Sequence, residues 1–596
     1  MAEEKSQESN RNEQLELMGQ IIERSQKILA DFASAQNGAQ TNGQSADPLN
    51  LMPVVMELSA RMMTNPAAIF QAQFSLWQDY IDLWQNTSKR MLGHAADPVI
   101  EPARDDRRFR DPAWDDDAVF SIIKQSYLLT SRWLTEVIND VEGLDDKTRQ
   151  KLDFYTRQFV DAIAPSNFVA TNPEVLRATL ETGGDNLLRG LNHLLADLDK
   201  GKGKLAIKMT DPEAFDVGEN IATAPGKVVF QNDLLQLIQY TPTTAKVYKR
   251  PLLIIPPWIN KFYILDLQPK NSFIRYAVDQ GLTVFVVSWV NPDERHAKKT
   301  FEDYMFEGPL AALDAIEQAT GEGEINAIGY CLGGTLLAAT LAYMATKKDN
   351  RIKAATFFTA LTDFEDPGDL GVFIDEEQLA SMDEMMAEKG YLDGREMATT
   401  FNMLRANDLI WSFVVNNYLL GKEPFPFDLL YWNSDSTRMP HAMHSFYLRE
   451  FYQNNKLVRP GGVTLGGVPI DLRKVRIPVY MLSTKEDHIA PWASTYAATQ
   501  IFRGKTTFAL AGSGHIAGVI NPAGSQKYGY WLNDKLPADP KDWLETADHH
   551  EGSWWPDWSG WIGRKSGVKV KARVPGKGKL KAIEDAPGSY VRTRAV

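Results

Sequence analysis

From Gly226 onward the chain is punctuated by short runs of apolar and β-branched residues, and their spacing constrains the fold more than any other feature. The runs are KVVF (227–230), LLQLIQY (234–240), PLLIIPP (251–257), LTVFVVSW (282–289), INAIGY (325–330), AATFFTAL (354–361), PVYMLS (478–483) and KTTFALAG (505–512). Most of the later runs are separated by helix-length segments, such as 269–280 and 309–320. Strands apolar along their whole length, alternating with helices, imply a mostly parallel sheet covered on both faces. The first two runs, only three residues apart, predict a hairpin that begins the sheet. The gap from 362 to 477 is too long for one crossover and is rich in Trp, Tyr and Phe, so it predicts an inserted cap.

Four segments follow from this. Residues 1–50 are rich in Gln, Asn, Ser and Ala and predict a mobile polar arm. Residues 51–220 predict a helical N-terminal domain: Trp77, Ile81 and Trp84, and again Phe120, Ile123, Tyr127 and Leu128, recur at helical spacing. Asp111-Pro112 and Asn172-Pro173-Glu174 supply helix-start signals, and the DRRFRD segment (106–111) beside Trp114 predicts an ion-paired helix entry. Residues 221–560 predict the α/β domain with its cap insertion at about 362–477. In the last segment, 561–596, ten Lys or Arg stand against two acids. That predicts a solvated, loosely ordered basic tail, with partner contact as the alternative.

Composition removes several classes. The chain of 596 residues is 44% apolar and carries a net charge of −13, which argues for a globular protein without a general nucleic-acid-binding surface. A single cysteine rules out an internal disulfide and a cysteine-cluster metal site. The polar N-terminus lacks the profile of a secretion signal, and no apolar run approaches the ~20 residues that span a bilayer. The expectation is a cytoplasmic protein.

The sharpest chemical signal is Gly329-Tyr330-Cys331-Leu332-Gly333-Gly334. It follows a predicted strand and opens the helical run TLLAATLAYMA. A nucleophile between glycines at a strand-to-helix turn is the nucleophile elbow of the α/β-hydrolase fold. Here the nucleophile is a thiol at the positive end of a helix, which favours the thiolate. The elbow demands an acid after a late strand and a histidine after the last one. PVYMLS leads to Asp487 and KTTFALAG leads to His515, in the required order. Glu486 and His488, which flank Asp487, stand as alternatives for acid and base. The oxyanion donors should be the Leu332 N–H and one from the loop after the third strand, where Ile259 is the candidate. The aromatic residues around Tyr431-Trp432-Asn433-Ser434-Asp435 and through Phe446 and Tyr447 read as cap core.

These residues resemble the class I polyhydroxyalkanoate synthases. GYCLGG is similar to that family's lipase-like box with cysteine in place of serine, and PPWINKFYILDLQPKNSFIRYAVDQGLTVFVVSWVNPD (256–293) to its most characteristic stretch. DRRFRDPAW, YWNSDSTRMP, STKEDHIAPW and GSGHIAGVINPA are further matches. The resemblance implies that Cys331 accepts the acyl group, that His515 is the general base and that Asp487 orients or assists it. It implies an (R)-3-hydroxyacyl coenzyme A as substrate, with polyester and free coenzyme A as products and no cofactor or metal. It further implies a homodimer working at the surface of polyester granules. Two other classes share these features: a cysteine-type α/β hydrolase acting on thioesters or lactones, and a non-catalytic granule-binding protein.

Overall fold

The computed structural model describes residues 52–64 and 66–595, so the N-terminal arm of 1–50 lies outside the described residues. The chain divides into two compact units, one running to Asp211 and including Phe401–Phe425, the other comprising Pro212–Thr400 and Pro426–Val596.

The first unit is helical: α1 (Met52–Thr64), α2 (Pro66–Met91), α3 (Ala118–Asn139), α4 (Asp146–Ala162), α5 (Pro173–Glu181) and α6 (Asp185–Lys200). Its starts are set by side chains that satisfy the first free N–H groups. Asp117 accepts from Val119 and Phe120, Asp145 from Lys147 and Thr148, and Asn172 from Glu174 and Val175 with Pro173 at the first position. Arg108 ties the helix entry together through Asp106 (2.9 Å), the Tyr127 hydroxyl (2.8 Å) and Asp161 (3.1 Å). Along α2 the side chains of Phe70, Phe74, Trp77 and Trp84 are exposed.

Sequence reasoning assigns 362–477 to one cap, but the structure splits it. Residues 401–425 belong to the helical unit, where Tyr418 donates to Asp197 (2.7 Å), Asn186 to the Leu419 carbonyl (2.8 Å) and Asn417 to the Lys208 carbonyl (2.8 Å). Those partners are buried polar groups on or just after α6, whose demand for hydrogen bonds is invisible in hydrophobic periodicity.

The second unit is built on an 11-stranded sheet. In chain order its strands are β1 (Gly226–Gln231), β2 (Leu235–Tyr240), β3 (Leu252–Ile255), β4 (Val284–Trp289), β5 (Ile325–Tyr330), β6 (Ile352–Phe358), β7 (Val479–Thr484), β8 (Thr506–Ala511), β9 (Tyr530–Leu532), β10 (Asp548–His550) and β11 (Glu584–Asp585). Their order across the sheet is β10-β9-β8-β7-β6-β5-β3-β4-β2-β1-β11. The six central strands from β8 to β4 run parallel and the flanking ones antiparallel. Alternate residues feed opposite faces, as strand geometry requires. Leu253, Phe285, Ala327, Phe357, Met481 and Phe508 join one core; Leu252, Val286, Ile328, Phe358, Leu482 and Ala509 join the other. The helix α7 (Leu332–Lys347), almost wholly apolar and buried, covers the first face. The helix α8 (Trp555–Gly563) covers the second with Trp555, Trp558 and Trp561, and the Trp558 ring N–H donates to Thr356 (3.1 Å). Among the described residues no helix is long and apolar enough to cross a membrane.

The basic C-terminal segment is not a loose tail. Lys569–Lys571 pairs antiparallel with Lys246–Tyr248, β11 pairs with β1, Val591 is buried and Tyr590 donates to the Asn232 carbonyl (2.8 Å). Its lysines face outward while its backbone fills sheet edges. Charge counting registers the first and is blind to the second.

Candidate active site

The site is assembled where β5, β7 and β8 end. After β5 the backbone turns sharply into α7 through Cys331, which has φ +50° and ψ −121°. A non-glycine residue at positive φ is strained and must be held by its surroundings. Here the Cys331 N–H donates to the Phe358 carbonyl (2.8 Å), and its own carbonyl accepts from Gly334 (2.8 Å) and Thr335 (3.1 Å). The glycines are there for proximity. A Cβ on Gly329 would lie 2.5 Å from the Gly334 Cα, and one on Gly333 would lie 2.2 Å from the Ile255 carbonyl oxygen and 2.7 Å from that of Pro256. The end of β3 is thereby pressed against the first turn of α7. Leu332 and Gly333 open that turn, where helix N–H groups have no acceptor within the helix.

His515 lies in the loop after β8. Its carbonyl accepts from the Tyr330 hydroxyl (3.2 Å) and its ring stacks on that of Tyr330 at 5.9 Å. Its Nδ1 is 2.7 Å from Asp487 Oδ2, which leaves the other ring nitrogen for Cys331, whose sulfur lies close enough to be felt by the imidazole. Both His515 and Asp487 are buried. Burial opposes the His515 charge. The Asp487 carboxylate first, then the nearby Cys331 sulfur and the hydrogen bond to Asp487, outweigh it and push the imidazolium up to about 10. Asp487 is itself fixed: Oδ1 accepts from the Ile489 (2.9 Å) and Ala490 (2.8 Å) N–H groups, and Oδ2 also accepts from Thr484 (3.1 Å).

The structure therefore brings Cys331, His515 and Asp487 together. Glu486 is exposed and its N–H donates to the Ser513 carbonyl, while the His488 carbonyl accepts from Asp369. Ile259 lies in the loop after β3, the strand whose end abuts Gly333, and its carbonyl accepts from Thr437.

Sequence reasoning read Tyr447 only as cap core and passed over Tyr452. Tyr447 and Tyr452, from the inserted segment, reach close enough to feel the Cys331 sulfur. Burial above all holds both phenols above their ordinary range; Tyr447 is raised further by Tyr452 and then by Cys331, and Tyr452 by Cys331 and Asp487. Their rings lie 5.4 Å apart and pack with Phe364 at 6.1 and 4.9 Å. Both sit in a widened helical turn, Tyr447–Gln453, a feature frequent at functional sites. In the sequence they are two aromatics among many, and nothing there gives the direction of a hydroxyl. Among the described residues no group of His, Cys, Asp and Glu is placed to hold a metal ion.

Comparison with known proteins agrees with this geometry. Residues 105–277 match the family model described as the N-terminus of poly-beta-hydroxybutyrate polymerase (PhaC), and residues 250–522 match that of the alpha/beta hydrolase fold. The chain is 52% identical to a poly(3-hydroxyalkanoate) polymerase of Methylorubrum extorquens over 572 residues, spanning 95% of this chain and 94% of the relative. It is 49% identical over 579 residues to the poly(3-hydroxyalkanoate) polymerase subunit PhaC of Rhizobium meliloti, covering 97% and 94% of the two chains. Against the corresponding subunit of Cupriavidus necator it is 43% identical over 536 residues, 89% of each. A helical unit leading into an α/β-hydrolase sheet, joined to this degree of identity over nearly the whole of both chains, places the protein in the poly(3-hydroxyalkanoate) polymerase family.

Proposed function

We propose that this polymerase builds polyester from (R)-3-hydroxyacyl coenzyme A through a thioester on Cys331, with His515 and Asp487 moving the protons. The observation that carries this reading is the position of His515, bonded to Asp487 at 2.7 Å and near enough to the Cys331 sulfur at the elbow to feel it. The Cys331 sulfur attacks the thioester carbonyl, and the tetrahedral oxyanion takes hydrogen bonds from the Leu332 and Ile259 N–H groups. The carbon–sulfur bond to coenzyme A breaks, and its thiolate leaves with the imidazolium proton. His515 is then neutral, and the acylated sulfur no longer carries a charge. The 3-hydroxyl of the next unit gives its proton to His515 as its oxygen attacks the Cys331 thioester, forming the ester and freeing the sulfur.

A thiol suits this chemistry. Exchanging one thioester for another is nearly thermoneutral, so the activation needed to make an oxoester is kept until the hydroxyl attacks. A serine would lose it at the first step. Because the acyl group arrives activated, no cofactor is required. The aromatic cover from Phe364, Tyr447 and Tyr452 supports exclusion of water from the acyl-enzyme.

The same reading takes the active form as a homodimer in the cytoplasm, held at the surface of polyester granules. The exposed aromatic stripe of α2 supports attachment to an apolar surface. Incubation with (R)-3-hydroxybutyryl coenzyme A, following free thiol and turbidity together, tests the function. Thiol release with a matching rise in turbidity is expected. Stoichiometric thiol release that leaves the solution clear and yields free 3-hydroxybutyrate would instead identify a hydrolase.

A further inference from the structure

The catalytic scheme leaves unused a buried ion pair beside the loop that carries Ile259. Lys261 Nζ lies 2.8 Å from Asp435 Oδ1, and the two side chains are 4% and 3% exposed. Tyr263 donates to Asp435 Oδ2 at 2.9 Å, and the Trp432 ring N–H donates to the Lys261 carbonyl at 2.7 Å. Burial pulls the lysine down and the aspartate up from their ordinary values, each opposed by its partner. Charges taken out of water in this way add little net stability over apolar residues of the same shape, and their best-attested use is to fix one register between segments. The register here is between the loop after β3 and residues 432–437: Asn260 and Ser436 form an antiparallel bridge next to the ion pair.

Thr437 is the next contact in that register. Its N–H donates to the Ile259 carbonyl (3.2 Å), and its hydroxyl reaches the carbonyl oxygens of Ile259 (2.7 Å) and Trp258. The Trp258 carbonyl and the Ile259 N–H belong to one peptide unit. A trans peptide is planar with its C=O and N–H opposed, so holding the Trp258 oxygen fixes the direction of the Ile259 N–H. Thr437 is buried, 3% exposed, so the contact is shielded from competing water.

We propose that Thr437, anchored by the Lys261–Asp435 pair, is a positioning residue that aims the Ile259 N–H at the developing oxyanion. The proposal rests on the assignment of Cys331 and Ile259 above. It is tested on the full-length enzyme with Thr437→Val, Thr437→Ser and the paired replacement Lys261→Met with Asp435→Leu. Three quantities are measured: kcat and KM for coenzyme A release from (R)-3-hydroxybutyryl coenzyme A, the alkylation rate of Cys331 by iodoacetamide, and Tm. Alkylation forms no oxyanion, so it reports the nucleophile alone.

Thr437→Val is expected to lose kcat by about 100-fold, the effect of removing one oxyanion donor, with KM within about twofold and alkylation unchanged. Thr437→Ser keeps the hydroxyl and restores kcat. The paired variant lowers kcat with the same unchanged alkylation; should it not fold, the two Thr437 variants decide alone. Wild-type kcat in a folded Thr437→Val enzyme overturns the proposal. So does a parallel fall in kcat and alkylation, which would mark general damage to the site. Cys331→Ala separates the layers: if it still releases coenzyme A the nucleophile assignment fails, whereas a dead Cys331→Ala beside a fully active Thr437→Val refutes only the positioning role.

Discussion

Replacing Gly333 by alanine tests the close approach on which the site depends. Inside a helix, alanine is favoured over glycine by about 1 kcal/mol, so propensity alone predicts a stabilised protein. The structure opposes this. The new Cβ would sit 2.2 Å from the Ile255 carbonyl oxygen and 2.7 Å from that of Pro256. Both are backbone atoms at the end of a central strand and cannot swing aside. Restoring an ordinary contact requires the end of β3 and the first turn of α7 to part by about 1 Å. Overpacking of this kind costs about 1–3 kcal/mol, which cancels or exceeds the propensity gain. The catalytic effect is larger, because the displaced strand end carries the Ile259 loop and the displaced helix carries the Leu332 N–H. A misplacement of about 1 Å costs about 100-fold in rate, or about 2.7 kcal/mol of barrier. The assay is coenzyme A release from (R)-3-hydroxybutyryl coenzyme A alongside a calorimetric Tm, with Gly524→Ala as control, since nothing lies within 4 Å of a Cβ there. A Gly333→Ala enzyme with raised Tm and kcat within twofold of wild type would refute the reasoning.

Other outcomes follow from the same geometry. Cys331→Ala should abolish coenzyme A release while the protein stays folded; turnover by the folded variant would remove Cys331 from the mechanism. Asp487→Asn should reduce polymer formation by about 100-fold or more, approaching the 10⁴ seen when a triad aspartate is neutralised in a serine enzyme, whereas Glu486→Gln and His488→Gln stay within about threefold. A dead His488→Gln beside an active Asp487→Asn would redraw the site. The His515 imidazolium is raised from 6.5 to about 10, so its contribution to stability is fully present below pH 6.5 and is lost as pH rises through about 10. Urea unfolding of wild type and His515→Gln should show a gap that narrows between pH 7 and 10.5, and a constant gap would contradict the charge assignment. If the insertion opens to admit substrate, coenzyme A release should begin with a lag that a short hydroxyacyl primer shortens, and hydrogen exchange over 426–477 should slow with a non-hydrolysable substrate analogue. Equal protection with lag-free kinetics would describe a static cover.

The parts of this molecule that obey a local rule were legible in its sequence. All eight apolar runs became strands, because a sheet buried on both faces needs continuous apolar stretches. The elbow was legible because Gly329 and Gly333 are demanded by atoms within a few residues or on the adjoining strand. What could not be read depends on partners distant in sequence. Residues 401–425 look like more cap until Asp197 and Asn186 claim them. The hydroxyls of Tyr447 and Tyr452 gain meaning only when the insertion folds over Cys331, and Thr437 only when its segment lies beside Trp258. The basic C-terminus misled because composition describes side chains, whereas its place is secured by backbone pairing and by Trp561 and Val591.

That last pairing has a consequence for how the protein is made. Lys227 and Asp585, opposite one another on β1 and β11, are 358 residues apart in the chain. At a translation rate of about 5–20 residues per second, β1 waits roughly 20–70 s for its neighbour to be synthesised. Through that interval the nascent sheet presents an open edge, the kind of surface on which chains pair with one another rather than with themselves. The proposed trio of Cys331, Asp487 and His515 has already been synthesised by then, since His515 precedes β11 by about seventy residues. The final strand thus acts as a late seal, and a stalled or truncated product would carry the proposed trio on a sheet still open to its neighbours on the polysome.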